Sequence, residues 1–289
     1  MQHRFVDFAC TSIIFITIMI QGYCLNCENI LQPDDQFCSQ CGQNAHVHPI
    51  TFSHFIHDAT HFFTHADKGI FALLKGLTFR PGFVAREYLA GKRKKYMSPL
   101  NFFLIMVGLF VFTLTTFHTM DQPSQYEAMR KNAESQKDPV VKQRRLDKTK
   151  RAEQANNFMA KNSNFVSLLF ATPLITLVFF IFYRKAGYNY MEHLAINFYF
   201  SGFGSLIFIV LIAPMVRLVN RPTFVIVAIG IFLFLEVLYR SLAYYQFMKR
   251  RGGIAYTKAF LVSFLSIILW SALSTTFIQL YIDYGIPKW

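Results

Sequence analysis

The chain has 289 residues, of which 53% are hydrophobic, 33 are Phe and only 16% are charged. A soluble globular domain carries about a quarter charged residues, so the composition excludes an ordinary soluble enzyme or binding domain and points to a membrane protein with several spans. The formal net charge of +13 argues less for nucleic acid than for basic flanks of membrane spans, which set orientation and touch anionic lipid.

Residues 5–20, "FVDFACTSIIFITIMI", form an apolar run behind a short basic start. No small-x-small cleavage site follows, which disfavours a signal peptide. The run reads either as a short span or as a start-site artefact with the true start at Met19, so 1–21 stands apart as an apolar N-terminal segment. Cys10 inside it reads as a small hydrophobe.

The stretch "CLNCENILQPDDQFCSQCGQ" follows, with Cys24, Cys27, Cys38 and Cys41 in two Cys-x-x-Cys pairs. Paired thiolates at this spacing suit one tetrahedral zinc ion, with a redox pair or an iron–sulfur cluster as the alternatives. Gly42 gives the backbone freedom to turn beneath the metal. Four protein ligands leave no open position, so the zinc is structural, and residues 22–45 form a zinc ribbon in a reducing compartment.

Residues 46–98 hold amphipathic or interfacial helices and a basic motif. In "ITFSHFIHDATHFFTHA" apolar residues recur near helical spacing, and His57, His61 and His65 share one face. That row is either a second metal or pH site or simply the polar side of a surface helix. The apolar segment 69–79 is too short to cross, and Pro81 with Gly82 ends it. "RPGFVAREYLAGKRKKYMSP" then places Arg80, Arg86, Lys92, Arg93 and Tyr96 before the first long span. These residues anchor the chain at an anionic leaflet or grip a phosphate or lipid headgroup.

Residues 99–289 carry five long apolar runs, near 99–118, 164–183, 194–215, 223–239 and 259–281, with an exposed, partly helical polar loop at 119–163. Lys and Arg near the span ends place the 91–96, 184–185 and 248–258 groups on one side, the cytoplasm. Glu192, His193, Glu236 and Arg240 form a candidate polar cluster at that membrane face, where intramembrane acids are functional candidates. Catalytic triads, phosphate-cradling glycine loops and His-Glu-x-x-His signatures are absent.

The cysteine knuckle ending "FCSQCGQ", the run Asp67-Lys68-Gly69, Arg80-Pro81-Gly82, Glu87-Tyr88, Gly91-Lys92-Arg93, Tyr96 and Pro99, and "YMEHLAINFYF" at 190–200 resemble the bacterial membrane proteins grouped as domain of unknown function 3667. The resemblance covers about 20–100 closely and the remainder loosely, and the 5–20 run is not part of it. It implies a zinc-ribbon-like start and a polytopic inner-membrane body, and no activity. The expected fold is an all-α membrane protein of five spans, or six if 5–20 crosses as well, with a small cytoplasmic zinc ribbon. Three functions compete: a scaffold whose ribbon docks a protein partner, a transporter or lipid-handling protein binding anionic headgroups through 80–96, and an enzyme using Glu192 and His193. The scaffold is preferred, and an enzyme is the least favoured.

Overall fold

The computed structural model describes residues 22–52, 69–117, 123–219, 222–249 and 252–285. The 5–20 run and the histidine row of His57, His61 and His65 lie outside the described residues.

Two short strands, β1 (Gly22–Tyr23) and β2 (Ile30–Leu31), pair antiparallel with Tyr23 opposite Ile30. The rest is helical: α1 (Ile70–Phe79), α2 (Pro81–Leu89), α3 (Pro99–Thr116), α4 (Pro123–Glu134), α5 (Pro139–Val166), α6 (Thr172–Tyr183), α7 (Tyr190–Ile207), α8 (Ala213–Val219), α9 (Pro222–Phe247) and α10 (Gly253–Tyr284). Proline opens α2, α3, α4, α5 and α9. It is tolerated there because the first N–H of a helix has no intrahelical acceptor, and its fixed φ suits the first turn.

Among the described residues five helical segments are long and apolar enough to cross a membrane: Pro99–Thr116, Ser167–Ala186, Tyr190–Val219, Phe224–Phe247 and Gly253–Tyr284. They match the five apolar runs of the sequence, and the chain is a multi-pass helical membrane protein. At ten residues, α1 is too short to cross. Of the polar 119–163 stretch, the described residues from 123 onward are mostly helical, in α4 and α5. The polar α5, kinked at Asn162, runs on through a π-helical turn, Ser167–Ala171, into α6. Its outer end is tied to α10 by Lys148 on Asp283 at 2.6 Å and by Tyr281 on Gln154 at 3.3 Å. A second π-helical turn, Phe208–Ile212, interrupts the third span.

The main core lies where α3, α6, α7 and α9 meet, around Phe102, Phe103, Phe179, Tyr199, Phe200 and Tyr244. Helices α1 and α2 close its ribbon-side end. Tyr239 of α9 donates to the Leu77 carbonyl at 3.2 Å. The Gly82 N–H donates to the Gln246 side chain at 3.2 Å. A side chain at Gly82 would run into the backbone of Ala243 and Phe247, so the Arg-Pro-Gly corner is a close helix crossing of the small-residue kind. Gly82→Ala is therefore expected to cost about 1–3 kcal/mol through overpacking, seen as a lower thermal midpoint in detergent. Gly108→Ala, whose added carbon meets nothing, should leave that midpoint unchanged or raise it.

Candidate metal knuckle and buried polar network

The four cysteines converge by two copies of one local construction. In the first, the Glu28 N–H donates to the Cys24 carbonyl at 2.9 Å and the Cys24 N–H to the Asn29 carbonyl at 2.8 Å. In the second, Gly42 donates to Cys38 at 2.8 Å and Cys38 to Gln43 at 2.7 Å. Each turn needs a left-handed residue after its second cysteine, and Glu28 (φ 63°) and Gly42 (φ 69°) supply it. The sulfurs of Cys24 and Cys41 lie 3.6 Å apart and those of Cys27 and Cys38 3.5 Å apart. All four ligand atoms fall within 4.8 Å of one another. A tetrahedron with metal–sulfur bonds of about 2.3 Å has edges of about 3.8 Å, so the thiols are placed to bind one metal ion. Backbone N–H groups of Cys41 and Gln40 aim at the Cys38 sulfur and hold its thiol down to about 6, which favours a thiolate at that position, while the Cys27 thiol beside it is pushed up.

The knuckle is bolted to the membrane body. Gln43, one residue beyond Gly42, is buried. Its amide donates to the Gly91 carbonyl, and its oxygen accepts from the Lys94 N–H at 3.0 Å. Gly91 (φ 106°) presents bare backbone to Leu25, and a side chain there would strike it. Arg93 donates to the His48 carbonyl at 2.5 Å and lies over the Tyr88 ring at 6.0 Å. Asn189 Nδ2 reaches the Ile50 carbonyl at 3.4 Å.

The basic motif folds around an acid. Glu87 accepts from Lys92 at 3.0 Å, Lys95 at 2.7 Å and the Tyr96 hydroxyl at 2.5 Å. Burial opposes its ionisation, and the bonds from Lys95, Tyr96 and Lys92 overcome this, holding the carboxyl down to about 2. Lys92 and Tyr96 thus share one partner, whereas the arginines diverge. Arg93 serves the ribbon linker, and Arg80 is exposed at the α1–α2 corner. Arg86 lies over Phe83 at 5.8 Å with its Nη1 buried and unpartnered. Burial raises the Tyr188 phenol, with the nearby Arg86 opposing and Glu192 adding.

Of the four intramembrane candidates, Glu192 stands apart. It forms a reciprocal cap on α7, accepting from the Asn189 N–H at 2.8 Å while the Asn189 side chain accepts from its own N–H at 2.9 Å. This is the capping box. The other three join a buried network. His193 Nδ1 lies 3.2 Å from the Tyr244 hydroxyl, and that hydroxyl accepts from Asn197 at 2.8 Å. The Asn197 oxygen accepts from Arg240 Nη1 at 2.8 Å. Arg240 Nη2 reaches Ser201 at 3.2 Å and pairs with Glu236. Arg240 is only 1% exposed. Glu236 lies eleven residues before the end of α9, about 16 Å along the helix at 1.5 Å per residue, so the pair sits well inside the bundle. Its carboxylate occupies the space that a Gly204 side chain would fill. Gln43, Asn197, Ser201, Gly204 and Tyr244 were not singled out in the sequence. Asn197 had a usable signal, a carboxamide one helical turn after His193 in an apolar stretch.

These features define a multi-pass helical membrane protein with a metal-ready cysteine knuckle docked on the loop before its first described span. A family model described as "Protein of unknown function (DUF3667)" matches residues 67–111, the stretch running into α3 through the α1–α2 corner and the Glu87 cluster. Neither the curated proteins nor the solved structures contain a significant match.

The depressed Glu87 carboxyl carries a pH signature. It stabilises its loop above its ordinary value of 4.5, and the contribution is lost as pH falls from there toward about 2. Amide exchange in 91–96, corrected for intrinsic rates, is expected to rise roughly tenfold between pH 6 and pH 3. Glu87→Gln should show the raised exchange already at pH 6.

Proposed function

We propose that the chain is an interaction protein of the bacterial inner membrane, with a zinc ribbon on its cytoplasmic side that presents a docking surface to a protein partner. One observation carries this reading. One side of the ribbon is fixed to the membrane body through Gln43, while Tyr23 and Phe37, each 59% exposed, and Ile30 stand clear on the ribbon. Large apolar side chains rigidly displayed on a small module favour a binding surface. The knuckle's thiolate chemistry favours zinc. Lys and Arg near the span ends favour a cytoplasmic ribbon, and the exposed Arg80 and Lys94 remain available to anionic headgroups. An enzyme built on Glu192 and His193 draws less support, because Glu192 is used in a helix cap and His193 faces Tyr244.

Purified protein should contain about one zinc per chain by elemental analysis, and the double change Cys24→Ser, Cys38→Ser should remove it. Iron, or no metal, would refute the zinc assignment. A photo-crosslinker placed at Phe37 or at Tyr23 in cells should capture the same protein, and the double cysteine change should abolish capture from both. No common partner, or capture indifferent to the cysteines, would refute the docking role.

Orientation has its own check. Cytoplasmic reporters should be active near Gly42 and in the connection between α9 and α10, and periplasmic reporters near Ser135. The reverse pattern would show that the basic residues of 130–151 dominate orientation.

A further inference from the structure

The buried network is largely paired on one side and open on the other. Toward the ribbon, His193 Nδ1, Tyr244, Asn197 and the two Nη groups of Arg240 satisfy one another, and His193 Nε2 alone of that half lacks a partner. Away from it lies a cavity of about 250 Å³, walled by residues of all five apolar spans and bordered by Glu236, Arg240 and Ser201. Among its lining residues, Glu236 Oε2, Thr172 Oγ1, Ser163 Oγ and Arg240 Nε have no partner in the protein. Glu236 and Thr172 are more than nine-tenths buried. Unpartnered polar atoms in a protein interior carry a desolvation cost, and in a bundle made for hydrocarbon each marks a place where something polar belongs.

We propose that this cavity binds the hydroxyl end of a neutral, long-chain amphiphile such as a lipid alcohol, with Glu236 Oε2 accepting from the hydroxyl and Thr172 and Ser163 completing its hydrogen bonds. Charge selects the class. Glu236 is already neutralised by Arg240. A bound cation or anion would therefore leave a net charge in a low-dielectric interior, whereas a neutral donor would not. Arg240 also keeps only Nε free, too little to chelate a carboxylate or phosphate in a fork. The remaining wall is mostly apolar, with Phe110, Met159, Ile175, Phe232 and Trp270 beside the small Ser167 and Ser205. The volume falls below the roughly 300–1,000 Å³ of pockets that enclose a drug-sized ligand, so it suits a head and the first carbons of one chain. The wall is also irregular where it matters. The π-helical turn Ser167–Ala171 contributes both its end residues to the cavity and leads directly into Thr172, and such turns recur at functional sites.

The test uses the full-length protein in phosphatidylethanolamine–phosphatidylglycerol nanodiscs and a diazirine-bearing hexadecanol as the probe. The probe is expected to label peptides containing Met159, Phe232 or Trp270. Unlabelled hexadecanol should compete at least tenfold better than hexadecanoic acid or hexadecylamine. Thr172→Val removes no hydrogen bond of its own hydroxyl within the protein, so it should fold normally while weakening competition by hexadecanol about two- to tenfold, the worth of one hydrogen bond. Ala171→Trp, which fills the cavity from its wall, should abolish labelling of those peptides. Labelling confined to lipid-facing residues, equal or better competition by the acid or the amine, or an unchanged Thr172→Val would each overturn the proposal. Ribbon occupancy and partner capture do not enter these readouts, so failure here leaves the docking role untouched, and the converse holds.

Discussion

A guanidinium is tolerated in an apolar bundle only where its charge and its N–H groups are met, and Arg240 sets the arrangement of the spans around that requirement. Its acid comes from one turn earlier on the same helix, and its neutral acceptors, Asn197 and Ser201, come from α7. Two helices are thereby fixed in rotation and in height. Gly204 lies one turn on from the acceptors, and its missing side chain leaves the volume that the Glu236 carboxylate fills. Asn197 then hands the constraint to Tyr244, whose ring stacks on Phe179 of α6 at 3.7 Å. Breaking such a pair from one side is costly because the survivor stays buried and charged. The network therefore specifies a geometry more than it adds net stability.

The same helix end carries the constraint outward. One turn beyond Tyr244, the α9 backbone accepts the close approach of Gly82, and α2 continues into the loop that Gln43 grips. The ribbon is thus tied to the spans through backbone contacts, in which glycine and carbonyl groups meet with little rotamer freedom to lose. A module of this size cannot fold on burial alone. The metal site orders the turn that holds Gln43, and the membrane body supplies the groups that Gln43 reads.

The spans and the cysteine site were legible because each is a local signal. Hydrophobic length reports a span, and two Cys-x-x-Cys pairs report a metal knuckle. The role of the basic motif was not legible in the same way. A sequence shows Lys92, Lys95 and Tyr96 as charge and aromatic ring near a membrane, and nothing in their spacing says that all three turn inward onto Glu87. Arg80, Arg86 and Arg93 recur at six- and seven-residue intervals, which suggested a common task. The break between α2 and α3 sends Arg93 to the ribbon linker and leaves Arg80 at a corner. Glu192 and His193 illustrate the same limit, since neighbours in sequence at a helix start point in different directions. One became a cap and the other a core residue.

Polar saturation separates the two halves of the intramembrane network in physical terms. Toward the ribbon, every donor of Asn197 and the Tyr244 hydroxyl has a partner within the protein, and only His193 Nε2 is left without one, as expected of groups kept mainly for architecture. Toward the cavity, a carboxylate oxygen, two hydroxyls and Arg240 Nε belong to residues of one lining and have no partner. Architecture alone would be served better by apolar residues of similar shape there, since valine replaces threonine in volume and removes the desolvation cost. Phe110, Met159, Ile175, Phe232 and Trp270 on the same wall show that the bundle supplies apolar residues freely around the cavity. The open polar groups stand where α6 presents Thr172, and α7 presents Ser201 and Gly204, to the one acid of α9. That coincidence of size and chemistry across three helices is the mark of a site shaped around a guest rather than of a packing fault.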